Sequence, residues 1–179
     1  LRANGLRPFD IERLSTHGGS LRLFCCQMGA GHEETGQLAA LRQEEHQAGL
    51  DRIETYAGFA PRVEAVRDSF RAFLAAEKAA GRRVAAYGAA AKGNTFLNYC
   101  RTTTNDIEAV FDASAAKQGR FLPGSHLPIL SPAAVGDLRP DDLVILPWNL
   151  KEEITGQMAF IRGWGGRFVT ASPETRVLP

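Results

Sequence analysis

Val84-Ala85-Ala86-Tyr87-Gly88-Ala89-Ala90-Ala91-Lys92-Gly93-Asn94 reads as a short buried strand, a turn of small residues and a helix with a lysine at its entrance. With Gly88, Ala90 and Gly93 at the three fingerprint positions, it is the G-x-G-x-x-G dinucleotide turn with alanine in place of its middle glycine. That glycine lets a pyrophosphate approach the backbone closely, so its replacement weakens a dinucleotide reading. The strand-to-helix turn still offers an anion the most natural place in the chain to sit.

Outward from this stretch, short apolar strands follow at Val84–Tyr87, Ile107–Phe111, Leu127–Leu130, Leu143–Leu146 and Arg167–Thr170. Helical segments fall between them near residues 93–101, 132–138 and 151–162. Strands joined through helical crossovers imply βαβ units and a parallel sheet covered on both faces. The expected fold is therefore α/β, a three-layer sandwich around a mainly parallel five-stranded sheet. Upstream, Pro61, then Val63, Val66, Phe70, Phe73 and Leu74 at helical spacing, then Gly81 predict a helix over residues 61–80. A polar helix with a thin apolar stripe is expected over 35–56. The alternating runs Phe9–Leu14 and Leu21–Cys26, interrupted by Gly18-Gly19, predict a β-hairpin. Three regions follow: a hairpin in residues 1–30, a helical linker in 31–81 and the α/β domain in 82–179.

The chain has 179 residues, 44% of them apolar and 8% aromatic, enough for a substantial core. Twenty-one Lys and Arg against 20 acidic residues leave a formal net charge of +1. No global field exists to hold nucleic acid or an anionic membrane, so any anion site is local. Cys25, Cys26 and Cys100 have neither C-x-x-C spacing nor an even count, and a reducing cytoplasm is the expected compartment. No apolar run approaches the roughly 20 residues that span a bilayer. The chain opens at Leu1 without an initiator methionine and is read as a piece of a longer protein. An isolated hairpin is marginal in water, so residues 1–30 are expected to complete a sheet of the parent or to pair two copies in a homodimer.

In an open parallel sheet, ligands bind beyond the carboxyl ends of the strands, near the point where strand order reverses. After the first strand come Gly88, Ala89, Lys92, Gly93 and Asn94, where Lys92 and the helix N-terminus suit a phosphate. A solvated surface lysine is the equally weighted alternative for Lys92. Asp112 ends the second strand, where it either holds a ribose hydroxyl or caps the next turn. The long polar segment that follows offers Lys117 and Arg120 as cations and His126 as a titratable donor, unless each is merely solvated. Trp148-Asn149, after the fourth strand, supplies a stacking plane and an amide, or a tryptophan packed on a helix. Esterase chemistry is excluded because His17-Gly18-Gly19-Ser20 has no G-x-S-x-G partner, and a triphosphatase because no G-K-[ST] follows Lys92. His32, Glu33 and His46 lack metal-ligand spacing on a shared face, so no metal and no catalytic residue are assigned.

Thr16-His17-Gly18-Gly19-Ser20-Leu21-Arg22, Tyr87-Gly88-Ala89-Ala90-Ala91-Lys92-Gly93-Asn94, Leu97-Asn98-Tyr99, Asp112, Lys117-Gln118-Gly119, Leu122-Pro123-Gly124 and Leu146-Pro147-Trp148-Asn149 occur in this order along nearly the whole chain. Together they resemble the C-terminal domain of bacterial S-adenosylmethionine-dependent sugar C-methyltransferases. The resemblance implies a Rossmann-like domain that helps anchor a nucleotide-linked deoxysugar for a parent enzyme that methylates a sugar carbon beside a keto group. It also implies that the zinc cysteines, the methyl-donor pocket and the histidine-rich segment for proton transfer lie upstream of Leu1, in a partner methyltransferase domain of the same chain. No cofactor is then expected in these residues, and the piece alone is expected to be inactive. Two other readings remain open: an NAD(P)-dependent oxidoreductase domain using the same turn, and a non-catalytic module for oligomers or neighbouring domains. Binding of nucleotide sugars, of NAD(P), or of neither separates the three.

Overall fold

The structure is a computed structural model describing residues 1–179. The chain divides into two units, Leu1–Ala60 and Pro61–Pro179. In the first, β1 (Leu6–Leu14) and β2 (Ser20–Gln27) pair antiparallel from Leu6↔Gln27 to Leu14↔Ser20. A register shift between Pro8 and Asp10 places Phe9 at a bulge, next to the one residue that has no N–H to give the ladder. Helix α1 (Gly36–Gln47) follows, and its N-cap Thr35 ties it to the hairpin by donating its hydroxyl to Asp10 Oδ1 at 2.6 Å and its N–H to Phe9 O at 2.9 Å. Ile11 and Leu38 are buried in this small core, each 3% exposed, while Leu21, Leu23 and Phe24 stay exposed along β2.

The single helix expected over 35–56 is two helices, α1 and α2 (Ile53–Ala57). Gly49 adopts φ +68°, and the Gly49 and Leu50 N–H groups return to the His46 and Glu45 carbonyls, closing α1 in a Schellman turn. Helix α3 spans Phe59–Ala79 rather than beginning at Pro61. Pro61 still lies in the first turn, where its missing N–H costs no intrahelical bond.

The second unit holds a six-stranded sheet built from β3 (Val84–Tyr87), β4 (Val110–Phe111), β5 (Ile129–Leu130), β6 (Asp142–Ile145), β7 (Arg167–Thr170) and β8 (Arg176–Leu178). The strand order is β5-β4-β3-β6-β7-β8, parallel except for β8, which runs antiparallel to β7. The five parallel strands have the 3-2-1-4-5 order of a Rossmann-like fold, reversing direction between β3 and β6. The sheet therefore has one strand more than expected, because the three residues of β8, Arg176-Val177-Leu178, are too few to show a period. The second strand is also shorter than its apolar run: only Val110 and Phe111 are in it, and Ile107 is buried in the preceding loop.

Side chains alternate across the sheet as the pleat requires. Val84 and Ala86 of β3, Val144 of β6 and Val169 of β7 pack with Phe70 and Leu74 of α3 and Leu97 of α4 (Ala91–Tyr99). Ala85, Tyr87, Leu143, Ile145 and Phe168 face the other way, against Val135 of α5 (Val135–Leu138) and Ile154 of α6 (Lys151–Gln157). This makes three layers. At the amino end of β6, Asp142 is fully buried and accepts from Arg167 at 2.8 and 3.0 Å and from Arg82 at 3.3 Å, pinning β6 to β7 and to the start of β3.

Candidate functional site

The turn after β3 is shaped by contact with β6. Gly88 adopts φ +91°, and a Cβ there would lie 2.5 Å from Pro147 Cδ, so the residue is confined to glycine by backbone and space together. At Gly93 a Cβ would meet Leu146 Cβ at 2.7 Å, so the missing side chain lets α4 lie directly on the end of β6. Both glycines serve the seam where the strand order reverses.

Helix α4 begins with open donors. Its N-cap is Ala90, which has no side chain able to cap, and the first bond into the helix is Asn94 N–H to Ala90 O at 2.9 Å. The N–H groups of Ala91, Lys92 and Gly93 have no acceptor in the chain. Lys92 reaches across the seam and donates to Asn149 Oδ1 at 2.8 Å, with its Nζ 4.3 Å from the centre of the Trp148 ring. A half-buried ammonium over an indole face adds cation–π attraction to the hydrogen bond. The fold thus brings Gly88, Lys92, Gly93, Trp148 and Asn149 together at the carboxyl ends of β3 and β6. Asn94 sits in the first turn of α4, and its buried Oδ1 has no partner.

Asp112 forms a second, adjoining group. Its Oδ2 accepts from Ala89 N–H at 2.7 Å and Lys117 Nζ at 3.1 Å, and its Oδ1 accepts from Ser114 N–H at 2.8 Å. Lys117 also donates to Ala89 O at 3.0 Å. The carboxylate caps the turn after β4 and fixes the turn after β3 as well. Lys117 is thereby committed to an internal ion pair.

Arg120 and His126 are not brought to these residues. Gly119 N–H donates to Ile129 O, Ile129 N–H to Arg120 O and Leu122 N–H to Leu127 O, at 2.9, 2.8 and 2.9 Å. Residues 119–122 therefore run antiparallel to 127–130 and carry the chain from the carboxyl end of β5 to its amino end. His126, at φ +57°, lies in the turn at that far end, next to Gly124, which packs on Asn98 near the last turn of α4. Arg120 is exposed and makes no side-chain hydrogen bond or ion pair.

The exit of the fifth strand holds polar side chains that no sequence motif marks. There Trp148, Lys151, Thr170, Ser172, Glu174 and Arg176 border a cavity of about 270 Å³. The rule that picked out the other strand ends applies equally to Ser172-Pro173-Glu174, and β8 returns Arg176 to the same mouth. No group of three or more His, Cys, Asp or Glu side chains is placed to hold a metal ion. No helix is long and apolar enough to cross a membrane.

Residues 15–173 match the family described as C-methyltransferase C-terminal domain. The C-methyltransferase NovU of Streptomyces niveus is 36% identical over 176 residues, which cover 98% of this chain and 42% of NovU. The chain therefore spans less than half the length of that relative. It belongs to the C-methyltransferase C-terminal domain family.

Proposed function

We propose that this chain anchors a nucleotide-linked sugar for a larger S-adenosylmethionine-dependent sugar C-methyltransferase of the cytoplasm. The observation that carries the reading is Lys92, set at the strand-order reversal beside three N–H groups that have no acceptor. A diphosphate at the start of α4 would accept from Ala91, Lys92 and Gly93 N–H, and would draw the Lys92 ammonium away from Asn149 Oδ1. The Asn149 amide would then be free to bond a sugar hydroxyl, and the Trp148 face would cover the apolar side of the ligand. The methyl group comes from S-adenosylmethionine held elsewhere in the parent enzyme. This chain's part is to bind and orient.

One feature counts against a nicotinamide-dependent oxidoreductase: Asp112, the residue positioned for a ribose diol, is spent on Ala89, Ser114 and Lys117. Titration calorimetry of the chain with uridine and thymidine diphosphate sugars, NAD(P) and S-adenosylmethionine is the test. A nucleotide sugar should bind, and Lys92→Ala should weaken it by about 1–3 kcal/mol while leaving the thermal midpoint nearly unchanged. Preference for NAD(P) would restore the redox reading, and no binding of either would leave an interaction module. Saturable micromolar binding of S-adenosylmethionine would contradict the assignment of its pocket to the rest of the parent.

A further inference from the structure

At the opposite end of α4 from Lys92, the chain forms a second cationic site that the proposed function does not use. Arg67, Asp68 and Arg71 of α3 and Asn98, Tyr99 and Arg101 at the end of α4 border a groove of about 520 Å³. That is within the range of small-molecule sites. Three guanidiniums share it with one carboxylate. Arg67 pairs with Asp68 at 2.7 Å and lies 5.5 Å from the centre of the Tyr99 ring, and Arg71 donates to Cys100 O at 2.8 Å. Arg101 makes no side-chain hydrogen bond or ion pair.

The backbone at Arg101 sets it apart. Three helices end in Schellman turns with a left-handed residue just past the cap: Gly49 after α1, Gly81 after α3 and Arg101 after α4. Around Arg101 the pattern is complete, with Arg101 N–H on Asn98 O and Thr102 N–H on Leu97 O, both at 3.0 Å. At φ +54° an arginine pays a steric penalty that glycine avoids, and its side chain forms no hydrogen bond or ion pair within the chain that would call for arginine there. An adjoining cavity of about 170 Å³ shares Arg71 and Arg101 and is bordered by Lys78 and by Thr102. Thr102 is 3% exposed, and its buried Oγ1 has no partner. Neighbouring guanidiniums with spare donors, a buried hydroxyl without a partner and a partly exposed aromatic ring are what a phosphate-bearing small ligand requires.

We propose that the groove between α3 and the end of α4 binds a diphosphate group, held by Arg71 and Arg101, separately from the site at Lys92. The phosphate chemistry is shared by inorganic pyrophosphate and by a nucleoside diphosphate whose base stacks on Tyr99. The experiment uses the whole chain carrying Lys92→Ala, so that failure of the first site does not affect the outcome. Calorimetry with pyrophosphate should give saturable binding of one equivalent, and adding Arg101→Gly should weaken it about tenfold or more, the loss of a charge-assisted contact. The same Arg101→Gly change should raise Tm, because glycine relieves the left-handed strain. Uridine diphosphate binding more tightly than pyrophosphate, with the gain lost in Tyr99→Ala, would support the site and assign it to a nucleotide. Equal affinities would support it and assign it to phosphate alone. Absence of saturable pyrophosphate binding, binding indifferent to Arg101→Gly, or a lowered Tm in that variant would overturn the proposal. So would capture of an acidic peptide but not of pyrophosphate.

Discussion

Replacing Asp112 tests whether one carboxylate holds two turns of the sheet together. It is 8% exposed and accepts two backbone N–H bonds, from Ala89 and Ser114, and one from Lys117. A hydrogen bond to a charged group is worth about 1.5–3 kcal/mol, and removing its acceptor strands buried donors. The Lys117 contact is discounted, since that side chain is 44% exposed and screened by water. The two backbone bonds dominate, and Asp112→Ala should cost about 3–5 kcal/mol, a large part of the roughly 5–15 kcal/mol that stabilises a domain. Asp112→Asn should recover only part of this, because its NH2 must face a donor whichever way the amide turns. Lys117→Ala should cost less than about 1 kcal/mol. Urea unfolding followed by tryptophan fluorescence is the assay, since both tryptophans, Trp148 and Trp164, lie in the 61–179 unit. With m near 2 kcal/mol/M, the Asp112→Ala midpoint should fall by about 2 M at constant m. A loss below about 1 kcal/mol, or an equal loss in Lys117→Ala, would refute the reasoning.

Gly93→Ala places a Cβ 2.7 Å from Leu146 Cβ and should cost about 1–3 kcal/mol by overpacking, read from the same urea curves. Burial pushes the Cys100 thiol up to about 11, so at pH 8 the exposed Cys25 should react readily with iodoacetamide while Cys100 is protected until unfolding, as peptide mass mapping would show. A chain beginning at Phe59 should fold cooperatively and keep nucleotide-sugar binding, because the second unit has core on both faces of its own sheet; circular dichroism and calorimetry decide it.

The parts legible in the sequence are those in which local pattern and tertiary packing agree. The strand-turn-helix from Val84 to Asn94 announces itself because Gly88 and Gly93 are the positions where a Cβ would strike Pro147 and Leu146, just past β6. The alternation of strands and helical crossovers then implies a mainly parallel sheet. Failures fall where long-range pairing decides. β8 is fixed by β7 and not by its own three residues, and α1 stops at Gly49 although helix-favouring residues continue. The segment after Asp112 reads as one polar loop over the strand ends. Its backbone pairing with 127–130 instead carries His126 to the far end of the sheet, which no local signal indicates. Asp112 was legible as a pair of alternatives; its carboxylate caps the turn at Ser114, and its bond to Ala89 across the sheet had no local signal.

The central claim, that the start of α4 receives the phosphates of a nucleotide sugar, is tested most directly by following backbone amide and indole resonances as a uridine or thymidine diphosphate sugar is added. The account predicts saturable shifts of the Ala91, Lys92 and Gly93 amides and of the Trp148 indole, as the ligand takes the free donors and draws Lys92 from Asn149. Saturable binding that leaves those resonances in place would contradict it.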